Sequence, residues 1–235
     1  MIRLEIDEHE IEIKSGQTVL SAAREHGIEI PTLCFHEALE PFAACRLCMV
    51  EVNAGRGWQL VAACAYPCAQ NLQVRTRSAA VLQSRRTTVE LLMASASQVP
   101  VIRQLADQLG VADPRFTMDA DDCILCGLCV RACAEIVGVS AISVINRGIE
   151  KQVSTPFSIA SGQCIECGTC VLVCPTGAIQ LEDITGGKQA VHEWQSDFAA
   201  LECGICGQNH SIVDYESHPS EAEIALDKPL GDAQS

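Results

Sequence analysis

Residues 123–174 carry one short passage twice: CILCGLCVRAC at 123–133 returns as CIECGTCVLVC at 164–174, 41 residues later. A repeat at fixed offset implies two copies of one supersecondary unit, here packed as a pair. In each copy the cysteines are spaced C-x2-C-x2-C-x3-C. They are Cys123, Cys126, Cys129 and Cys133, then Cys164, Cys167, Cys170 and Cys174. Three thiolates on a tight loop, with two residues between each and the next, wrap one iron–sulfur cube. The fourth begins a helix leading to the neighbouring cube.

This is the pattern of bacterial ferredoxins with two 4Fe–4S clusters, in which the last cysteine of each run ligates the other cluster. The expected sets are Cys123, Cys126, Cys129 with Cys174, and Cys164, Cys167, Cys170 with Cys133. Gly127 and Gly168 keep side chains off the clusters and leave amides free to reach the sulfides, and such N–H···S bonds help to set potential. The alternative is zinc, whose structural sites are usually built from separated C-x2-C pairs. Ala134 stands where the first run would ordinarily have proline; the second run keeps Pro175.

A second group, Cys34, Cys45, Cys48 and Cys64, resembles the C-x4-C-x2-C plus distant Cys of plant-type 2Fe–2S ferredoxins, with a longer first gap. Such a rhomb takes two thiolates per iron; zinc is again the alternative. Cys68 competes with Cys64 for the last place, and spacing alone does not choose between them. The surrounding pattern is that of a β-grasp domain. IRLEID at 2–7 and IEIK at 11–14 alternate as a hairpin, Thr18 caps a helix over VLSAAREH, and Gly27 ends it. LCMVEV and WQLVAAC make a further strand pair around Asn53–Gly57. Helices are expected over 79–96 and from Pro100 to Leu109, stopping at Gly110.

The segment PTLCFHEALEPFAACRLCMVEV, followed by LVAACAYP, resembles the N-terminal 2Fe–2S domain of the large iron–sulfur subunit of respiratory complex I. The same domain is found in NAD-reducing hydrogenases, iron-only hydrogenases and NAD-dependent formate dehydrogenases. With the repeat included, the resemblance spans roughly residues 1–180. It implies that Cys64 is the fourth ligand and Cys68 is spare. It also implies partners: a flavin subunit that oxidises NADH, and a catalytic oxidoreductase subunit that takes the electrons. Two departures stand out. Relatives carry a further 4Fe–4S cluster on H-x3-C-x2-C-x5-C, where this sequence has MASASQVPVIRQLADQLGV without His or Cys, so that cluster is expected to be absent. The sequence also ends where relatives continue into a molybdopterin or hydrogenase domain.

Composition supports this frame. Fifteen cysteines in 235 residues, with no export signal in MIRLEIDEHE and no apolar stretch long enough to span a membrane, read as metal ligands of a cytoplasmic protein. The formal charge of −14 argues against a basic nucleic-acid-binding face. Most of it lies in residues 181–235, where 11 Asp/Glu face only Lys188 and Lys228. That acidic extension reads as solvated or partner-wrapping. It also holds Cys203, Cys206 and His210, open to several readings: a small zinc site with His218, a redox-active dithiol, a ligand set completed by a partner, or a relic with free thiols. No dinucleotide or phosphate-binding glycine motif occurs, and no catalytic triad is assigned.

The expectation is an α+β protein. It comprises a β-grasp 2Fe–2S domain at 1–78, a helical connector at 79–118, a two-cluster 4Fe–4S ferredoxin domain at 119–180 and an acidic extension at 181–235. Its expected role is non-catalytic electron relay within an NAD(P)H-, hydrogen- or formate-linked oxidoreductase complex. The alternatives are a freely diffusing multi-cluster carrier and a catalytic subunit using Cys203, Cys206 and His210.

Overall fold

The computed structural model describes residues 1–155 and 163–179, together with the backbone of 201–202 and 209–210. Two compact units divide it: residues 1–36 with 40–121, and residues 37–39 with 122 onward.

The first unit is built on a five-stranded sheet. Strands β1 (Ile2–Ile6) and β2 (His9–Ile13) form the N-terminal hairpin, in register Leu4 with Ile11. Alternation puts Leu4, Ile6, Ile11 and Ile13 into the core and the intervening charged residues outside. Helix α1 (Val19–Glu25) begins at a capping box, in which the Thr18 hydroxyl accepts from the Ser21 amide and the Ser21 hydroxyl accepts from the Thr18 amide. Val19, Leu20, Ala22 and Ala23 are buried. Gly27, at φ +71°, lets the chain leave the helix. Strands β3 (Met49–Asn53) and β4 (Trp58–Ala62) pair antiparallel, and β5 (Gln73–Arg75) pairs antiparallel with β3 and parallel with β1. The sheet order is thus β2-β1-β5-β3-β4. Leu20, Val50, Val52, Leu72 and Val74 fill the core.

Helices α2 (Ala79–Ala96) and α3 (Pro100–Leu109) complete this unit. The Ser78 hydroxyl caps α2, Pro100 opens α3, and Gly110 at φ +68° ends it. Ala96, Val99, Ile102 and Ala106 are buried where the two helices meet. Much of this helix pair is the stretch 93–111, which holds neither His nor Cys.

In the second unit α4 (Leu128–Arg131) follows the first cysteine run's loop and passes into a π-helical turn at Ala132–Ile136. Short strands β6 (Ser143–Ile145) and β7 (Gln152–Ser154) pair antiparallel, and α5 (Thr169–Leu172) follows the loop of the second run. Two further short strands, β8 (Leu201–Glu202) and β9 (Asn209–His210), pair Leu201 with His210. No helix among the described residues is long and apolar enough to cross a membrane.

Candidate metal centres

The first centre forms on the loops flanking β3 and β4. Cys34, Cys48 and Cys64 are each 1% exposed, and Cys45 is half-buried. The thiols meet in pairs. Cys48 and Cys64 have Sγ atoms 3.4 Å apart, and the Cys45 amide donates to Cys34 Sγ at 3.3 Å. Sharing a proton within each pair pulls one thiol down and pushes the other up. Cys45 is held down to about 6 by the Cys34 thiol, and Cys48 to about 7 by the Cys64 thiol. Cys34 and Cys64 are pushed up by those same partners and by burial. The Cys64 thiol also feels the charges of Cys34 and Cys45 alongside Cys48, so all four sulfurs share one neighbourhood.

Backbone geometry holds this set in place. The first two amides of α1 are turned onto the Cys64 loop, Val19 donating to the Tyr66 carbonyl at 2.9 Å and Leu20 to the Ala63 carbonyl at 3.0 Å. The Ala63 amide donates to the Cys48 carbonyl at 2.9 Å, tying the third and fourth cysteines together. Ala43 and Arg46, on either side of Cys45, have φ of +55° and +58°. Side chains seldom adopt this left-handed conformation, which here turns the loop around the thiols. Cys68 lies apart from them. Its amide is bound to the Gln17 carbonyl, and burial alone pushes its thiol up to about 11.

The repeated runs fold alike. Leu125 and Glu166 have φ of +52° and +56°, and Gly127 and Gly168, two residues further on, have +77° and +70°. Each pair sits at the same place in its copy. The glycines were legible from the spacing. The left-handed Leu125 and Glu166 were not, because neither residue type announces that conformation. The Glu166 amide donates to Cys164 Sγ at 3.4 Å and the Ala141 amide to Cys133 Sγ at 3.2 Å, so the bent backbone aims N–H groups at sulfur. The hydroxyls of Thr169 and Thr176 lie 3.4 and 3.5 Å from Cys167 and Cys174.

The thiols gather across the repeat. One cavity is lined by Cys164, Cys167 and Cys170 from the second run and Cys133 from the first, with Val137, Val139 and Ile142 as apolar wall. Burial pushes Cys170 up to about 12, and after it the charges of Cys167, Cys129, Cys164 and Cys133. Cys129 is also pushed up to about 12, by burial and then by Cys126, Cys174 and Cys123. An all-sulfur donor set, amides directed at it and an apolar wall suit an iron–sulfur cube. Among the described residues no three His, Cys, Asp or Glu side chains converge closely enough for a single metal ion. Cys203 and Cys206 lie outside the described residues, and His210 is described by its backbone alone.

A β-grasp sheet carrying four paired thiols, followed by a duplicated cysteine loop, defines a multi-cluster iron–sulfur protein. Family comparison agrees. Residues 1–79 match a 2Fe–2S iron–sulfur cluster binding domain, and residues 122–179 match a 4Fe–4S dicluster domain. A chain in the crystal structure of an NAD+-reducing NiFe-hydrogenase in the H2-reduced state superposes with a TM-score of 0.64 at 32% identity, covering 75% of this chain and 86% of that one. An NADH-quinone oxidoreductase subunit of Rhizobium meliloti is 34% identical over 206 residues, covering 76% of this chain and 24% of the relative. The HndD subunit of the NADP-reducing hydrogenase of Solidesulfovibrio fructosivorans is 33% identical over 211 residues, covering 76% of this chain and 36% of the relative. The chain belongs to this family of iron–sulfur subunits of NADH-quinone oxidoreductases and NAD(P)-reducing hydrogenases. It spans about a quarter to a third of the length of these curated relatives.

Proposed function

We propose that this chain is the electron-transfer subunit of a cytoplasmic NAD(P)H-, hydrogen- or formate-linked oxidoreductase. It takes single electrons from a flavin subunit and passes them to a catalytic subunit. The observations supporting this reading are the shared neighbourhood of Cys34, Cys45, Cys48 and Cys64 and the single cavity lined by Cys164, Cys167 and Cys170 of one run with Cys133 of the other. Cys34, Cys45, Cys48 and Cys64 hold the 2Fe–2S cluster. Cys123, Cys126, Cys129 and Cys174 hold one 4Fe–4S cluster, and Cys164, Cys167, Cys170 and Cys133 the other.

When bound, such clusters supply one-electron carriers at potentials set by their surroundings. The chain's own residues hold them, exclude water and direct N–H groups at sulfur. Ala141 and Glu166 do so for the set containing Cys133 and Cys164. Thr169 and Thr176 place hydroxyls where they donate to Cys167 and Cys174 once these are thiolates.

The test is metal quantitation with EPR on the anaerobically loaded chain, followed by reduction with NADH in the presence and absence of the flavin subunit. About ten iron atoms per chain are expected, with reduction by NADH only when that subunit is present. A value near six removes a cube from the reading. A stable monomer that retains all clusters and never binds a flavoprotein supports a diffusible carrier instead.

A second, separate proposal is a zinc ion held by Cys203, Cys206, His210 and His218. It is favoured by the pairing of His210 with Leu201, two residues before Cys203. One zinc per chain, lost in Cys203→Ala without loss of iron, is the expected result.

A further inference from the structure

Arg85 is 4% exposed although it is charged, and it lies inside α2, outside every cysteine loop. Its Nε donates to the Leu47 carbonyl at 3.0 Å and its Nη2 to the Met49 carbonyl at 2.9 Å. These two carbonyls stand on either side of Cys48. One rigid guanidinium therefore grips the backbone before and after a cysteine of the first centre.

Two consequences follow from elementary geometry and electrostatics. In a trans peptide the carbonyl and the amide point in opposite directions. Turning the Leu47 carbonyl to Arg85 thus turns the Cys48 amide away from it, and that amide is among the donors to the Cys48 sulfur. The second consequence concerns charge. A buried cation is costly unless compensated, and two carbonyls satisfy its hydrogen bonds without cancelling its charge. The carboxylate of Asp7 acts on Arg85 only at a distance and is itself engaged by the Thr76 amide and hydroxyl. Arg77 adds repulsion, and Cys48 is the principal opposite charge acting on the guanidinium. The fork alone would explain a structural clamp. The absence of an ion pair among the described residues points to the thiolates as the compensating charge.

We propose that Arg85 is a positioning residue of the 2Fe–2S centre: it clamps the Cys48 loop and, as a buried cation with no ion pair among the described residues, raises that centre's reduction potential. The inference rests on the ligand set of Cys34, Cys45, Cys48 and Cys64. Reduction adds one electron to the centre, with no bond formed or broken, and the guanidinium stays protonated throughout. Placing the added negative charge beside a fixed positive one in a poorly solvated site favours the reduced form. Without Arg85 the same electron enters at a lower potential.

The experiment is a potentiometric titration of the whole cluster-loaded chain, read by EPR of the 2Fe–2S signal, with the 4Fe–4S signals as internal references. Arg85→Met keeps a buried stem and removes the charge. At fixed ambient potential it is expected to lower the ratio of reduced to oxidised 2Fe–2S centre at least tenfold, a downward shift of about 59 mV for one electron. Iron content and the 4Fe–4S potentials stay unchanged. Arg85→Lys keeps the charge without the fork and is expected to stay within about threefold of the native ratio, roughly half that interval. A loaded Arg85→Met with the native potential overturns the proposal, as does an Arg85→Lys displaced as far as Arg85→Met. Should Arg85→Met fail to take up iron, Arg85→Lys decides alone: a native-like potential supports the charge assignment, and a tenfold loss overturns it. If the ligand reading itself were wrong, the unmodified chain would show no 2Fe–2S signal to titrate, a result distinct from an unshifted one.

Discussion

The proposed crossed ligation across the repeat makes a countable prediction. Cys133 lines a cavity with Cys164, Cys167 and Cys170, while Cys174 acts with Cys123 and Cys126 on Cys129. On this reading Cys126 and Cys174 serve one cube, although they lie in different runs. The loaded chain should hold about ten iron atoms, and either Cys126→Ala or Cys174→Ala should cost one cube, leaving about six. Combining the two substitutions strikes the same cube twice, so the double variant also keeps about six. If each run instead held its own cube, the double variant would lose both and fall to about two. The reciprocal pair gives the opposite pattern. Cys126→Ala with Cys133→Ala share a run but serve different cubes, and together they should leave about two iron atoms. Iron per folded chain is the assay, with EPR of the reduced protein counting the remaining 4Fe–4S signals. A Cys126→Ala/Cys174→Ala protein near two iron atoms, beside single variants near six, would refute the crossing.

Cys64→Ala should abolish the 2Fe–2S EPR signal while Cys68→Ala leaves it intact, since Cys64 has a thiol partner at 3.4 Å and Cys68 stands apart from the set. Cys68 also gives the fold an alkaline limit. Its thiol ionises near 9.0 when solvated and near about 11 when buried, so the folded state holds its proton longer. That contribution is complete below about pH 9 and is lost as pH rises through about 11. Denaturant unfolding of Cys68→Ala across this range should show a shallower loss of stability than the native chain. In α3, Ile102 is fully buried, and Ile102→Ala should cost about 2–5 kcal/mol in urea unfolding of the first unit, with the 4Fe–4S signals unchanged. A loss under about 1 kcal/mol would mean that the α2–α3 contact contributes little to stability.

Much of the structure was legible because cysteine spacing and glycine placement are local signals. The β1–β2 hairpin, the Thr18 cap and the left-handed Gly27 and Gly110 all rest on neighbours within a few residues of one another. Strand β5 was not legible. It is three residues long with only Val74 buried, and it exists by pairing with strands remote in sequence. Similarly, β6 and β7 are too short for alternation to register. Cys64 and Cys68 are equivalent on spacing, and they differ in the structure by the proximity of Cys64 to Cys48. Arg85 gave no sequence signal, since an arginine in a helix is ordinarily a surface residue. Only the fold shows it turned inward against the Leu47 and Met49 carbonyls. The tight bends at Leu125 and Glu166 were hidden for a related reason: a left-handed leucine or glutamate is imposed by its surroundings, not by its own preference.

The parallel pairing of β1 with β5 also sets an order of events during synthesis. It joins Glu5 to Gln73 and Ile6 to Val74, and Cys34, Cys45, Cys48 and Cys64 all lie in the chain between. A ribosome therefore makes every thiol of the first centre before the strand that closes its sheet. At about 5–20 residues per second, the stretch from Cys64 to Arg75 takes only one or two seconds. Iron delivered while β1 and β3 still lack β5 between them meets open loops. Iron delivered later must wait for a site in which Cys34, Cys48 and Cys64 are 1% exposed to open again. With the proposed ligands, the expected outcome is a race between cluster donation and sheet closure, in which slowing synthesis between Cys64 and Arg75 changes the yield of loaded centre.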